Sequence, residues 1–255
     1  MNRWCSMLGV GAVLLLAPCA TAEGAVSHGI WNELLQRHVK DGRVDYHGLQ
    51  AERLIFEGYL ANLAEIPPAS VGGREEQVAF WINAYNACAV KGVLEHQPLS
   101  SVKSAKGFFD NIRYRVGGRD LTLHDMETQA RSFGDWRVLF ALARASVGGP
   151  SLRDEAYDAE RLNEQLIAQT AEFLQDGQHA LRVEGGVLQV SRIFEWYTTD
   201  FVPAGRLDPQ RKLTPPLLLA VIGSYLETAH RQMIGLRDPQ SVQFLDYDWS
   251  LNDVR

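Results

Sequence analysis

Cysteine is scarce in this sequence, and most of it lies at the amino-terminal end. The chain has 3 cysteines, and two of them, Cys5 and Cys19, lie within residues 1–22. Only Cys88 lies beyond that segment. If the segment is removed, no disulfide can form within the chain, so the fold must depend on its hydrophobic core.

Residues 1–22 resemble a secretory signal peptide. Arg3 is their only charge, an apolar run covers residues 8–17, and small residues at 20–22 suit a cleavage site. We therefore expect cleavage after Ala22 and a mature chain of residues 23–255 that forms a single domain. A lipoprotein anchored at Cys19 is the alternative, although proline before that cysteine fits a lipobox poorly.

Positive charge and long apolar runs are also in short supply. The 25 lysines and arginines are outnumbered by 31 aspartates and glutamates, which gives a net charge of −6. This balance argues against non-specific binding to nucleic acid or to anionic membranes. Beyond residue 22 the longest apolar candidate, 217–222, is much shorter than the roughly 20 residues that a membrane helix needs. We expect no integral membrane segment after signal cleavage.

Histidines at metal-ligand spacing are missing as well. The sequence has 7 histidines, but no two fall at ligand spacing and no His-Glu-x-x-His motif occurs. His124 and Glu127 are three residues apart on a predicted short helix and could share a face. They could equally be solvent-exposed residues of a first helical turn. The sequence therefore predicts no metal site and no cofactor.

What the sequence does contain is one long apolar segment at residues 75–96. Apolar residues occupy nearly every side of it, glycines precede it at 72–73 and Pro98 follows it, which indicates a helix buried all round. Asn83 and Asn86 lie on one face of this helix. A buried amide without partners costs about 1 to 3 kcal/mol. The two amides therefore either clamp the backbone of a neighbouring loop or face a ligand.

The rest of the chain predicts an α+β fold, a helix-rich single domain with two β-hairpins and the buried central helix. The hairpins are predicted at 112–123 and 180–191, where paired glycines mark the turns. Continuous apolar character predicts a buried strand at 136–143. Further helices are expected at 30–39, 49–63, 159–175 and 214–234, and a closing strand at 242–249.

Five blocks of this sequence resemble a known family. They are VDYHGL, AFWINAYNA, VGGRDLTLHDME, SRIFEWYTTDF and LDYDWSLN, at residues 44–49, 79–87, 116–127, 191–201 and 245–252. In this order they resemble the signature blocks of the domain-of-unknown-function 547 family, and AFWINAYNA is the most specific. The resemblance covers most of residues 23–255. It implies no particular activity, because the family has no settled one.

The resemblance also implies a divergent member. The family carries a histidine at the start of the apolar stretch and two cysteines in and after it, which suit a thiolate nucleophile or soft metal ligands. Here those positions hold Leu139, Arg144 and Gly149, and Thr128 stands where a histidine commonly follows the glutamate. Cys88 lies inside an apolar helix, where burial raises the pKa of a thiol, so we expect a core residue rather than a replacement nucleophile.

The predicted ligand-binding site consists of polar and aromatic residues retained from the family blocks, together with Arg144. Its members are Asn83, Tyr85, Asn86, Glu127, Arg144, Ser191, Trp196, Tyr197 and Asp200. Carboxylate and amide groups orient a polar ligand, and the aromatic rings offer stacking faces. The same residues are equally suited to an internal polar network. Arg144 either binds a carboxylate or phosphate, or neutralises Glu127.

These observations lead to three hypotheses about function. The first is a soluble exported protein, periplasmic or secreted, that binds an unknown small polar ligand or an envelope protein and performs no catalysis. The second is a hydrolase or acyl transferase that uses the Asn and Glu residues with water. The third is an envelope protein-interaction module that docks through the aromatic tail at 244–249.

Overall fold

The central helix dominates the structure, a computed structural model that describes residues 27–202 and 212–254. This helix, α4, runs over Arg74–Glu95, and Glu76 caps it by accepting a hydrogen bond from the Gly73 N–H at 2.9 Å. Every residue from 78 to 94 is buried except Lys91. The predicted buried helix is therefore confirmed. The predicted signal peptide and its two cysteines lie outside the described residues.

Most of the other elements are helices, and they lie on both sides of α4 in the chain. Three precede it: α1 (Gly29–His38), α2 (Tyr46–Ala51) and α3 (Arg53–Glu65). Those that follow are α5 (Leu123–Arg131), α6 (Val138–Ala141), α7 (Leu162–Gln175), α8 (Ile193–Trp196), α9 (Thr198–Phe201), α10 (Pro215–Ile222) and α11 (Thr228–Arg237). Short 3-10 turns occupy Pro68–Ser70 and Val102–Ser104. No helix in the described part of the chain is long and apolar enough to cross a membrane.

The strands form three small sheets. The first pairs β1 (Val39–Lys40) with β2 (Arg43–Val44), the second pairs β3 (Tyr114–Val116) with β4 (Arg119–Leu121), and the third has the order β5 (Leu181–Glu184), β6 (Val187–Val190) and β7 (Ser241–Phe244). All pairs are antiparallel except β6 with β7, which is parallel. The predicted helix-rich α+β class is confirmed.

Both predicted hairpins turn at their paired glycines. Gly117 and Gly118 have φ values of 59° and 74°, and Gly185 and Gly186 have 58° and 76°. Two successive residues with positive φ define the turn that best matches the twist of the flanking strands, and glycine adopts it without steric cost. The glycine pairs therefore determine where each hairpin turns.

Three other predictions of secondary structure were wrong in part or in whole. Residues 136–143 form no strand, because residues 138–141 form the short helix α6. The helix predicted at 214–234 is divided into α10 and α11, since α10 ends at Ile222 and Gly223 caps it. The closing strand at 242–249 is shorter than predicted, because β7 ends at Phe244 and only isolated bridges follow.

Helix α6 lies where two hydrophobic cores meet. Val138 and Ala141 belong to a core built around α4, whereas Leu139 and Phe140 belong to a second core built around β5, β6 and α10. An apolar run that is covered on all sides has no hydrophobic period, so it does not distinguish a buried strand from a short buried helix. This ambiguity explains the wrong prediction for residues 136–143.

The two amides of α4 hydrogen-bond to the backbone of other segments. Asn83 Nδ2 donates to the Tyr157 carbonyl at 2.8 Å, and Asn83 Oδ1 accepts from the Tyr157 N–H at 3.0 Å. Asn86 Nδ2 donates to the Ala141 carbonyl at 2.9 Å, and its Oδ1 accepts from the Ala143 N–H at 2.9 Å. These contacts match the backbone-clamp interpretation. They satisfy buried backbone N–H and carbonyl groups that have no partner in a helix or sheet.

We expect Asn86→Ala to destabilise the protein strongly. The substitution leaves a buried carbonyl and a buried N–H without partners, which lowers the free energy of unfolding by about 2 to 5 kcal/mol. Urea denaturation followed by circular dichroism measures this loss. The control is Asn163→Ala, because the Asn163 side chain is exposed and its hydrogen bond with Arg137 lies at the surface, and we expect a change within about 0.5 kcal/mol. Equal effects of the two substitutions would contradict the clamp.

Candidate functional site

One pocket brings together four of the nine predicted site residues. It has a volume of about 280 Å³ and is lined by Phe109, Asp110, His124, Glu127, Arg144, Trp196, Tyr197 and Trp249. The predicted members among them are Glu127, Arg144, Trp196 and Tyr197. They come from α5, the segment after α6, and α8 with the residue that follows it. The fold thus joins residues that are up to 70 positions apart in the sequence.

A buried ion pair forms the polar end of this pocket. Arg144 Nη2 donates to Glu127 Oε2 at 3.1 Å and to the Tyr197 hydroxyl at 3.0 Å. The two charged side chains are only 4% and 6% exposed. Arg144 Nη1 also donates to the Leu142 carbonyl at 3.3 Å. Of its two predicted roles, the geometry matches the neutralisation of Glu127.

The surroundings of Arg144 keep its guanidinium charged. Burial lowers the pKa of Arg144, but the Tyr197 phenol and the Glu127 carboxylate raise it by more, so the net pKa is raised. A buried pair of this kind costs desolvation energy that good hydrogen-bond geometry offsets. The Arg144 side chain is therefore a fixed, charged part of the pocket.

Asp200 does not line the pocket but binds Arg131, which contacts lining residues. Arg131 donates two hydrogen bonds to the Asp200 carboxylate, with N···O distances of 3.0 and 2.7 Å. Arg131 Nη1 lies 3.6 Å from Glu127 Oε1, and its guanidinium carbon lies 4.6 Å from the centre of the Tyr197 ring. Glu127 therefore has two guanidinium neighbours. Asp200 in turn balances the second of them.

Aromatic rings form the apolar wall of the pocket. The centres of Trp196 and Trp249 are 5.8 Å apart, and Tyr247 lies 5.1 Å from the first and 4.4 Å from the second. Phe109 extends the row at 6.1 Å from Trp249. Trp196 is 40% exposed, which is high for so large an apolar side chain. The row thus presents an accessible aromatic surface beside the buried ion pair.

The remaining predicted site residues do not line the pocket. Ser191 is buried, and its hydroxyl accepts from the Ile193 N–H at 3.3 Å at the start of α8. The Tyr85 hydroxyl is buried and has no hydrogen-bond partner in the described residues, and burial raises its pKa well above the ordinary value. Asn83 and Asn86 hold backbone as described above. Whether any of these four residues affects a ligand stays a prediction.

Four lining residues were absent from the predicted site. His124 shares a face of α5 with Glu127, and this pairing is visible in the sequence. Phe109 and Asp110 lie in an irregular segment, and Trp249 lies in the carboxyl-terminal tail. Neither segment has a hydrophobic period that predicts where its side chains lie. For Trp249, the aromatic character of the tail was the available sequence signal.

The positions that we expect to differ from the family pattern are closely packed. Leu139 is fully buried in the second core. A Cβ atom on Gly149 would lie 2.4 Å from the Tyr247 hydroxyl, and that hydroxyl is hydrogen-bonded to Ser146 Oγ at 2.9 Å. Tyr247 therefore occupies the space that a side chain at position 149 would need. Within the described residues, no group of three His, Cys, Asp or Glu side chains could hold a metal ion.

Together the fold and the pocket define a helix-rich α+β protein whose polar and aromatic residues converge on one small cavity. Residues 69–174 match the family described as Protein of unknown function, DUF547, so the predicted family resemblance is confirmed. The matched region includes Glu127 and Arg144, whereas Trp196, Tyr197 and Trp249 follow it. No curated protein and no solved structure matches the chain.

We expect Arg144→Met to destabilise the protein by about 3 to 5 kcal/mol near neutral pH, because it leaves the Glu127 carboxylate buried and poorly paired. Adding Glu127→Leu removes the buried charge, so the double variant regains most of the stability. Urea denaturation measures the free energy of unfolding of the wild type and of both variants.

The matched control is Arg115→Met. Arg115 pairs with Asp120 on the surface, where the side chains are 57% and 63% exposed, and such pairs contribute at most about 1 kcal/mol. A double variant that is no more stable than Arg144→Met alone would show that Arg144 acts through packing and not through Glu127.

Cys88 should be chemically inert in the folded protein. It is buried in α4, and this burial raises the pKa of its thiol. We expect iodoacetamide at mildly alkaline pH to leave the peptide that contains Cys88 unmodified in the native protein and to alkylate it after unfolding. Mass spectrometry of the digested protein measures both states. Rapid alkylation of the native protein would revive the thiol-nucleophile hypothesis.

Proposed function

We propose that this chain is a non-catalytic binding protein whose pocket receives a small, ring-shaped polar ligand. The observation that carries the proposal is the convergence of Glu127, Arg144, Trp196 and Tyr197 on one cavity of about 280 Å³. Such a cavity, apolar on one side with a few fixed polar groups on the other, is typical of sites that bind small molecules. Its size suits a single ring with short substituents.

The structure supports binding because the polar end of the pocket is preorganised. Arg144 is held by Glu127 and by Tyr197. The backbone just before Arg144 is held by Asn86 through Ala141 and Ala143. A site whose groups are already in position loses little conformational entropy when the ligand binds.

We further propose that the protein is exported and acts in the periplasm or outside the cell. The support is the composition of residues 1–22, with one charge, an apolar run and small residues at the expected cleavage site. The lipoprotein alternative, with an anchor at Cys19, would place the same binding domain at a membrane surface.

The hydrolase or acyl transferase hypothesis has less support. It requires the amides of Asn83 and Asn86 to act on a substrate, whereas both amides hydrogen-bond to backbone groups. One arrangement in its favour is that His124 and Glu127 line the same pocket. Glu127, however, already faces two guanidinium groups. An imidazole without a positioned nucleophile defines no complete catalytic arrangement.

A docking role of the aromatic tail remains the third hypothesis. Trp249 and Tyr247 are half-buried, and each packs on Trp196. These rings therefore already have intramolecular partners. The pocket accounts for their placement better than an unoccupied docking surface does.

The test is a screen of small ring compounds by ligand-observed NMR on the purified protein and on Trp196→Ala. We expect compounds that bind the wild type to lose affinity on the order of tenfold in the variant, because a stacking surface is removed. The control is Leu54→Ala, which removes a 90% exposed side chain on α3 and should leave binding unchanged.

Two outcomes would overturn the proposed function. One is that every compound that binds is insensitive to Trp196→Ala. The other is that the protein converts a compound to product and that Glu127→Gln abolishes this turnover without lowering the melting temperature, which would establish the enzyme hypothesis.

A further inference from the structure

The pocket also contains information about the class of its ligand, and the inference that follows rests on the proposed binding function. Its polar groups differ in whether they are already engaged. Those that have partners cannot readily recognise a ligand, whereas those that lack partners determine which hydrogen bonds a ligand must provide. The charged groups around the pocket and the aromatic faces restrict the ligand further.

Both terminal nitrogens of Arg144 are already engaged by the protein. Its Nη2 donates to Glu127 and Tyr197, and its Nη1 donates to a backbone carbonyl. A carboxylate or phosphate ligand would have to displace Glu127 from a buried ion pair. Separating such a pair leaves a buried charge without a partner, which is strongly unfavourable. The pocket therefore does not select anions.

Glu127, in contrast, has one carboxylate oxygen that accepts no hydrogen bond from the described residues. This oxygen, Oε1, is buried, and Arg131 lies 3.6 Å away. Asp110 adds a second, exposed carboxylate to the lining. Carboxylates accept hydrogen bonds and donate none when ionised. The ligand must therefore supply hydrogen-bond donors.

The charges around the pocket also argue against a cationic ligand. Arg131 and Arg144 balance Glu127 and Asp200, and Lys103 lies 4.8 Å from the centre of the Trp249 ring. The Tyr197 ring likewise has two guanidinium groups over it. Cations thus already lie over these aromatic rings, where a ligand cation would bind. An ammonium group would meet three positive neighbours.

We propose that the ligand is a neutral saccharide unit. The apolar face of a sugar ring stacks on the exposed Trp196, and its hydroxyl groups donate to Glu127 Oε1 and to Asp110. A neutral ring with several hydroxyl donors meets each requirement: donors for the carboxylate oxygens, no net charge, and one apolar face.

The experiment compares sugars that differ only in charge. Glucose and N-acetylglucosamine serve as neutral probes, glucosamine as the cationic probe and glucuronic acid as the anionic probe. Tryptophan fluorescence and NMR titrations of the full-length mature protein measure each dissociation constant. We expect at least one neutral sugar to bind at least tenfold more tightly than both charged analogues.

Two variants locate the binding within the pocket. Trp196→Ala and Asp110→Asn change exposed side chains, so both should remain folded, and each should weaken binding of the neutral sugar about tenfold or more. Leu54→Ala should not change it. Unaltered binding by both pocket variants would overturn the proposal, because the sugar would then bind elsewhere.

The remaining outcomes separate this inference from the proposed function. Glucosamine or glucuronic acid binding as tightly as the neutral sugars would refute the saccharide inference and leave the binding function intact. The same conclusion follows if no sugar binds while other ring compounds bind in a Trp196-dependent manner. If no probe and no ring compound binds, both proposals fail.

Discussion

The arrangement of the pocket depends on hydrogen bonds between buried amides and backbone. The segment that follows α6 is buried but forms no helix or strand. Without the amides, its backbone N–H and carbonyl groups would lack hydrogen-bond partners. Asn86 satisfies the Ala141 carbonyl and the Ala143 N–H from the face of a neighbouring helix. Because Arg144 is the next residue, these bonds determine where its guanidinium lies. Helix α4 thus shapes the pocket although it contributes no lining residue.

The parts of the fold that were predictable from sequence are those with strong local signals. The buried helix α4 has apolar residues on every side. Each hairpin has a glycine pair, and two successive glycines are typical of the two-residue turn that joins hairpin strands. Residues 136–143 gave no such signal, because they contact two cores and show no period. The break between α10 and α11 was missed for a related reason, since a single Gly223 does not by itself predict the end of a helix.

The candidate site was predictable where the family blocks supplied it and not where loops supplied it. Glu127, Tyr197 and Trp196 belong to those blocks, and the structure places them around one cavity. Phe109 and Trp249 reach the same cavity from irregular segments, whose course depends on long-range packing. The amides show a different limit: the sequence shows that they need partners, but only the structure identifies those partners as backbone.

The family resemblance implied that Leu139, Arg144 and Gly149 stand where thiol and imidazole groups are expected, and the structure shows what these residues contact. The guanidinium of Arg144 pairs with Glu127, and Leu139 is part of an apolar core. Both side chains therefore have partners within the protein, an ion pair for Arg144 and apolar neighbours for Leu139. The polarity of the pocket therefore differs from that of a thiol centre.

The close approach of Gly149 to the Tyr247 hydroxyl couples position 149 to the wall of the pocket. A side chain at position 149 would need volume that the tyrosine hydroxyl fills, so the tyrosine would have to shift. Such a shift disturbs its bond to Ser146 and its packing on Trp249. A larger residue in place of this glycine would therefore alter the aromatic row although the glycine itself does not line the cavity.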